Sequence, residues 1–87
     1  MENYVYILKS KKDHHRYIGS TNNLERRLAQ HNKGEVVSTK NRRPLILFAY
    51  QRCNTLVEAR IEEKQYKRSW GKYNRAIKSG ILKIVGT

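Results

Sequence analysis

The sequence predicts a small α/β protein in which helices pack against one mixed or antiparallel sheet. Two short strand-like segments open the chain, a continuous apolar run lies near its middle, and a capped amphipathic segment follows each of these parts. This pattern gives the order β-β-α-β-α-α, an α/β sandwich around a small sheet. With 87 residues, the chain is expected to form one domain over residues 1–87, with a modest core.

The first two strands are expected to form a hairpin. Tyr4–Ser10 and Arg16–Ser20 are rich in aromatic and β-branched residues, and the charged segment between them supplies the turn. Tyr6 and Tyr17 share a face of this hairpin if the turn holds an even number of residues, and lie on opposite faces if the number is odd. Either way, core packing remains a structural explanation for both rings.

The first helix is predicted from a capping pattern and an apolar stripe. Asn22 and Glu25 resemble a capping box, and Gly34 is a natural residue to end the helix. Arg27 and His31 are neighbours on the helix surface and flank its leucine stripe, whereas the other arginine, Arg26, points further away. These residues could be functional or could form an exposed basic face.

The middle of the chain predicts a central strand, and two helices are expected after it. Leu45–Tyr50 is continuously apolar, which suggests a strand covered on both faces. The second helix begins with the capping box of Thr55 and Glu58 and is expected to extend to the residues before Gly71. A short third helix closes at Gly80, and the remaining residues form a short strand or an ordered tail.

The charge balance favours a nucleic-acid partner. Lys and Arg number 19 against 7 acidic residues, for a net charge of +12, which attracts polyanions. Cys53 is the only cysteine, which excludes a disulfide within the chain and fits a reducing cytoplasm. No apolar run approaches the ~20 residues that a membrane-spanning helix needs.

One charge of the second helix lies in an unexpected place. Leu56, Ala59, Tyr66 and Trp70 form an apolar stripe, and Glu63 falls near its middle. A carboxylate on a core-facing stripe is costly unless it is paired or bound to a metal. Two explanations stay open: a rim glutamate paired with a Lys or Arg, or a metal ligand or general base. Trp70 is similarly open between the core and a base-stacking surface.

Several motifs occur together in the order of a known nuclease family. "YVY" (Tyr4–Tyr6), "YIG" (Tyr17–Gly19), "STNNLERRLxxH" and the later "EARIEEKQYK" resemble the GIY-YIG nuclease domain over nearly the whole chain. The motifs and the size of the chain are similar to those of small stand-alone bacterial members described as excinuclease C-like. One departure is that Tyr4 stands where the family's name-giving glycine would be.

The resemblance implies a three-stranded antiparallel sheet flanked by helices, and metal-dependent hydrolysis of DNA phosphodiester bonds in DNA repair or recombination. It further implies that Glu63 holds a single Mg²⁺ or Mn²⁺ ion. Gly19 closes the second motif, and Asn74 corresponds to an asparagine that some relatives carry after the glutamate. The residues that match the catalytic positions of the family are Tyr6, Tyr17, Arg27, His31 and Glu63.

The expected mechanism divides the work among these residues. Arg27 would stabilise charge on the scissile phosphate. Tyr6 would act as general base or align the attacking water, and base catalysis would require Arg27 and the metal to lower its pKa from ~10. Tyr17 and His31 would assist in proton transfer or phosphate binding. The basic residues expected to hold the DNA backbone are Lys40, Arg42, Arg43, Lys64, Lys67, Arg68, Lys72, Arg75 and Lys78.

Two other functions remain open at this point. The chain could be an inactive module of the same fold that binds DNA or RNA without cutting it. It could also be a ribosome-associated basic protein that binds structured RNA and ignores added metal. The sequence does not specify a partner protein or an oligomeric state.

Overall fold

The computed structural model of the protein describes residues 2–86. Its elements confirm the predicted order β-β-α-β-α-α and add a short strand after it. No helix within the described residues is long and apolar enough to cross a membrane. The elements are β1 (Asn3–Ser10), β2 (Arg16–Thr21), α1 (Leu24–Asn32), a 3-10 helix (Lys40–Arg42), β3 (Leu45–Cys53), α2 (Leu56–Arg68), α3 (Trp70–Ser79) and β4 (Lys83–Ile84).

The sheet is antiparallel and has four strands, in the order β2-β1-β3-β4. The expectation of three strands was therefore wrong. After α3 the chain returns to the free edge of β3, where Ala49 pairs with Ile84 and Tyr50 with Lys83. The Val85 N–H then donates to a β3 carbonyl oxygen at 2.8 Å. The short strand was one of the two alternatives for the residues after Gly80, and β4 confirms it, although two residues are too few to show an alternating pattern.

The most deeply buried strand is β1 rather than β3. Val5 and Ile7 point to one face of the sheet and pack in the cluster that holds the buried residues of α2 and α3. Tyr6 and Leu8 point to the other face, where the leucines of α1 pack against them. All four side chains are at most 2% exposed. β3 is also an inner strand and contributes to both clusters, but several of its side chains are only half-buried.

The start of α1 differs by one residue from the expected capping box. Asn23, with an extended backbone, is the N-cap, and its side-chain oxygen accepts from the Arg26 N–H at 3.0 Å. The side chain of Asn22 instead accepts from the Arg26 guanidinium at 2.8 Å. The predicted pairing of Asn22 with Glu25 was therefore wrong. Gly34 follows the C-cap as predicted, with a φ of +81° that few residues other than glycine adopt.

The junction between α2 and α3 lies earlier than expected. Thr55 caps α2 as predicted, since its hydroxyl accepts from the Glu58 N–H at 3.1 Å. Ser69 both ends α2 and caps α3, so Gly71 lies inside α3 and does not end α2. Trp70 therefore begins a new helix instead of continuing the apolar stripe, and its side chain is 68% exposed. This excludes the core position for Trp70.

Candidate active site

The hairpin places two tyrosines on one face of the sheet. Tyr6 pairs with Gly19 and Leu8 pairs with Tyr17. The last pair is Lys9 with Arg16, and the six residues between them (10–15) make the even-numbered alternative for the turn correct. The rings of Tyr6 and Tyr17 lie 6.3 Å apart between centroids. A Cβ atom at Gly19 would lie 2.4 Å from the Tyr6 hydroxyl oxygen, so only glycine leaves room for the ring here.

The helix α1 contributes two side chains that contact the Tyr6 hydroxyl. The Arg27 Nε–H donates to it at 3.2 Å, and the His31 Nε2 atom lies 3.0 Å from it. A second guanidinium nitrogen of Arg27 donates to the Gln30 side chain at 3.0 Å. His31 is completely buried, so an exposed basic face does not describe this residue. Its ring also lies 5.0 Å from the ring of Tyr17.

These contacts favour one assignment of donors and acceptors among Arg27, Tyr6 and His31. Because Arg27 can only donate, the Tyr6 oxygen accepts from it and the Tyr6 O–H is free to donate to His31 Nε2. In this assignment Nδ1 of His31 carries the proton and donates to the Thr39 hydroxyl oxygen, 2.7 Å away. It is favoured because the Thr39 hydroxyl itself donates to the Val36 carbonyl oxygen at 3.5 Å. Thr39 is fully buried in the loop after α1. Sequence reasoning missed Thr39 because a loop threonine has no periodic pattern.

Burial sets the protonation states of the two central groups. Burial raises the pKa of Tyr6 to about 12, although the hydrogen bond and charge of Arg27 oppose this rise. Burial, followed by the charge of Arg27, lowers the pKa of His31 to about 4. Near neutral pH the phenol is therefore protonated and the imidazole is neutral. Arg27 opposes the rise but burial is the larger effect, so the lowered Tyr6 pKa that base catalysis would require is absent from the free protein.

Glu63 lies at the β2 edge of the sheet, near Tyr6 and Tyr17, and its carboxylate is paired. The Ser20 hydroxyl donates to one carboxylate oxygen at 2.7 Å, and the Lys67 ammonium lies 2.6 Å from the other. Lys67 also lies 5.9 Å from the centre of the Tyr17 ring. The charge of Glu63 contributes to the raised pKa of Tyr6, which places the carboxylate within electrostatic range of that hydroxyl. Of the two explanations left open for Glu63, the structure thus shows the carboxylate paired with a lysine.

The donor set at Glu63 fits one kind of metal ion. Within residues 2–86 there is no group of three or more His, Cys, Asp or Glu side chains that could hold a metal. Glu63 and Ser20 offer a single carboxylate and a hydroxyl, which are hard oxygen ligands. Mg²⁺ is usually bound through one or two carboxylates, with water and substrate phosphates in the other positions. The residues therefore fit such an ion, for which Lys67 is a competitor.

The other predicted residues are spread over the surface. Among the predicted DNA-backbone residues, Lys67 is joined to this cluster by a contact within the described residues. Arg42 pairs with Asp13 and Lys72 pairs with Glu62, each at 3.2 Å. Asn74 is exposed on α3, and no contact within the described part of the chain joins it to the cluster. The other residues predicted to hold the DNA backbone are exposed, namely Lys40, Arg43, Lys64, Arg68, Arg75 and Lys78.

Known proteins share both the sequence and the fold. A model of the GIY-YIG catalytic domain matches residues 2–76. The UPF0213 protein SH2523 of Staphylococcus haemolyticus is 40% identical over 67 residues, which are 76% of this chain and 80% of that protein. A UPF0213 protein of Syntrophus aciditrophicus is 38% identical over 84 residues, which are 94% of this chain and 91% of that protein.

A solved structure agrees with these matches. The solution NMR structure of the UPF0213 protein BH0048 from Bacillus halodurans is 31% identical, with a TM-score of 0.52. The likeness covers 91% of this chain and 84% of that one. Since the family model spans most of the sequence and the relatives are small proteins matched over most of their length, the chain belongs to the GIY-YIG family.

Proposed function

We propose that the protein is a metal-dependent endonuclease that hydrolyses DNA phosphodiester bonds with weak sequence preference. The observation that supports this most strongly is the hydrogen-bonded chain from Arg27 through Tyr6 to His31, with Glu63 at the same sheet edge. Membership of a nuclease superfamily supports the same reaction class. The proposed setting is DNA repair or recombination in the cytoplasm.

Tyr6 is the residue that orients the attacking water. Its oxygen accepts from Arg27 and keeps a further lone pair, while its proton points to His31 Nε2. As the water oxygen bonds to phosphorus, the bond between phosphorus and the leaving sugar oxygen breaks. The water proton passes to the Tyr6 oxygen and the Tyr6 proton passes to His31, while the leaving oxygen takes a proton from solvent. In the free protein the pKa values of about 12 for Tyr6 and about 4 for His31 keep the proton on Tyr6.

A bound phosphate changes this balance. The positive charge of Arg27 contributes to the lowered pKa of His31. An anionic phosphate beside Arg27 neutralises that charge and so reduces the cost of protonating the imidazole. Arg27 also stabilises the charge that develops on the phosphoryl oxygens, because its planar guanidinium offers several donors in a fixed geometry. Proton transfer is thereby coupled to substrate binding.

Glu63 is the residue that would hold a divalent ion, Mg²⁺ or Mn²⁺, together with the Ser20 hydroxyl. When bound, such an ion supplies Lewis-acid stabilisation of the phosphoryl oxygens. The exposed lysines and arginines around the molecule bind the DNA backbone and carry no sequence code. We therefore expect affinity to fall steeply with added salt, for DNA and for any RNA that binds.

The test is a cleavage assay on plasmid, branched and single-stranded DNA with Mg²⁺ or Mn²⁺. Glu63→Gln should abolish cleavage. The matched control is Glu62→Gln, which removes the neighbouring carboxylate and its separate ion pair with Lys72. A wild-type protein that binds DNA but cuts none of these substrates would instead be an inactive binding module. Equal cleavage by Glu63→Gln and the wild type would refute the role of Glu63.

A further inference from the structure

A cavity adjoins the candidate active site. It measures about 240 Å³ and lies where β2 meets α2 and α3. Its walls include Tyr17, whose ring lies 5.0 Å from the His31 ring, and Lys67, which pairs with Glu63. Pockets that hold a whole small molecule measure about 300–1,000 Å³. The cavity is smaller, so it suits one part of a larger ligand. We call it the β2 cavity.

Tyr73 lines the β2 cavity and carries a buried hydroxyl group that lacks a hydrogen-bond partner in the described part of the chain. Tyr73 is 4% exposed, and within residues 2–86 its hydroxyl is the buried side-chain polar atom without a hydrogen bond. Leaving such a group unsatisfied destabilises the folded protein. Burial raises the pKa of Tyr73, and the charge of Arg16, on the same cavity wall, opposes the rise. A ligand atom that accepts this hydroxyl proton would remove this destabilisation.

An exposed indole forms the outer wall. Trp70 is 68% exposed and packs edge to face on Tyr73, with 5.5 Å between ring centroids. Trp70 and Arg16 also line a neighbouring cavity of about 350 Å³ at the hairpin turn. The Arg16 guanidinium is held 4.4 Å from the centre of the Phe48 ring. A large aromatic surface beside fixed positive charge is the arrangement that binds nucleobases by stacking.

This geometry also indicates whether the bound nucleotide is base-paired or unpaired. In a duplex each base is paired and stacked between its neighbours, and extruding one breaks these interactions. A base that is already unpaired can use the indole face and the Tyr73 hydroxyl without that cost. Arg16 and Lys67 then provide positive charge for the adjoining phosphate. The β2 cavity therefore favours a strand with an unpaired nucleotide over a continuous duplex.

We propose that the β2 cavity binds one unpaired nucleotide of the substrate, with its base stacked on Trp70 and a base acceptor bound to the Tyr73 hydroxyl. This rests on the proposed nuclease function in one respect: it places the strand next to Glu63. The substrate class is then single-stranded or branched nucleic acid, and a fully paired duplex is the poorer substrate.

Binding is measured in EDTA, so that no cleavage occurs. Trp70 is the only tryptophan, so its fluorescence reports directly on the cavity. A ten-nucleotide thymidine strand should quench it, and should bind at least about tenfold more tightly than a ten-base-pair duplex. By polarisation of a labelled strand, Trp70→Ala should weaken binding about tenfold, because stacking contributes about 1–3 kcal/mol per base.

The Tyr73→Phe variant separates the role of the hydroxyl in strand binding from its role in folding. It should weaken strand binding about three- to tenfold while leaving the melting temperature unchanged or higher, since it removes an unsatisfied buried group. The control is Tyr50→Phe on β3, which should bind like the wild type. The proposal is overturned if the duplex binds as tightly as the strand, or if neither Trp70→Ala nor Tyr73→Phe weakens binding.

The outcome is independent of cleavage. A protein that cuts DNA, but whose Trp70 and Tyr73 variants bind strands normally, would keep the nuclease function and lose the β2 cavity proposal. A protein that binds strands as described, but cuts nothing with either metal, would keep the β2 cavity proposal and lose the nuclease function.

Discussion

Gly19 lies directly opposite Tyr6 in the β1–β2 ladder, and a Cβ atom at this position would lie 2.4 Å from the Tyr6 hydroxyl oxygen. The presence of glycine at the end of "YIG" therefore has a steric reason. Without a side chain here, the Tyr6 ring can cross β2 and reach Arg27 and His31. The relationship joins a motif residue that has no side chain to the residue on which the proposed chemistry depends.

Gly19→Ala should destabilise the protein by about 1–3 kcal/mol, since the new methyl group overlaps a buried ring that cannot move freely. Urea denaturation measures the change. Gly71→Ala is the control, because it lies in α3, and its nearest neighbour is the flexible end of Arg75 at 3.2 Å. That variant should be neutral or more stable. A Gly19→Ala protein as stable as the wild type would contradict the packing described for Tyr6.

The burial of His31 predicts that stability falls in mild acid. Its pKa is lowered from 6.5 to about 4 on folding, so between these values the unfolded chain binds the extra proton. The free energy of unfolding should therefore decrease as the pH falls from 6.5 towards 4, by up to about 3 kcal/mol from this residue.

Nuclear magnetic resonance can follow this titration in the folded protein. The imidazole signals of His31 should keep their neutral positions down to about pH 5 and titrate near pH 4. A His31 midpoint near 6.5 would show that the ring is not held in the buried, neutral state. Denaturation curves of His31→Gln should in addition lose most of the acid dependence between pH 6.5 and 4.

Thr39→Val should disturb His31 without touching the substrate. Valine has nearly the same shape but leaves the buried Nδ1–H of His31 without an acceptor, which costs about 1–3 kcal/mol. Nitrogen chemical shifts should show a change in the tautomer ratio of His31. Thr39→Ser should restore both stability and tautomer, and exposed Ser38→Ala should have no effect. An unchanged tautomer in Thr39→Val would rule out this positioning role.

Lys67→Met should increase the affinity for divalent metal ions. The Lys67 ammonium lies 2.6 Å from a Glu63 oxygen that a metal would also bind, so its removal leaves the carboxylate without a competitor. The lysine is about half exposed, and exposed pairs contribute about 0.2–1 kcal/mol, so we expect a gain of about two- to fivefold. Calorimetric Mn²⁺ titration, with Lys64→Met as control, measures it. Equal Mn²⁺ affinity in the two variants would mean that the metal does not bind at Glu63.

Much of the fold was predictable because its signals are local. The hairpin, the cap at Thr55 and the stop at Gly34 all follow from a few neighbouring residues. The errors have local causes as well. Adjacent asparagines made Asn22 and Asn23 equivalent in the pattern, and Ser69 outweighed Gly71 as the end of α2.

The candidate site was predictable only in part, because it depends on distant contacts. Periodicity identified Glu63 as a misplaced charge and left a Lys or Arg partner open, a place that Lys67 takes from four residues further along α2. Nothing in the pattern indicated that Ser20, on β2, would donate to the same carboxylate. Likewise, the spacing of Arg27 and His31 did not reveal that His31 is fully buried. Burial is decided by which elements pack together, and this also determined the pKa of the Tyr6 hydroxyl.

The Tyr6 hydroxyl is central to the proposed chemistry, and the single-turnover cleavage rate of Tyr6→Phe tests its role most directly. Phenylalanine keeps the packing of the ring but removes the oxygen between Arg27 and His31. We predict a rate about 10²–10⁴-fold below that of the wild type at unchanged DNA affinity, with Tyr4→Phe as an active control. A Tyr6→Phe rate within about threefold of the wild type would contradict this role, because that hydroxyl would then supply none of the 10²–10⁴-fold expected of a proton-transfer group.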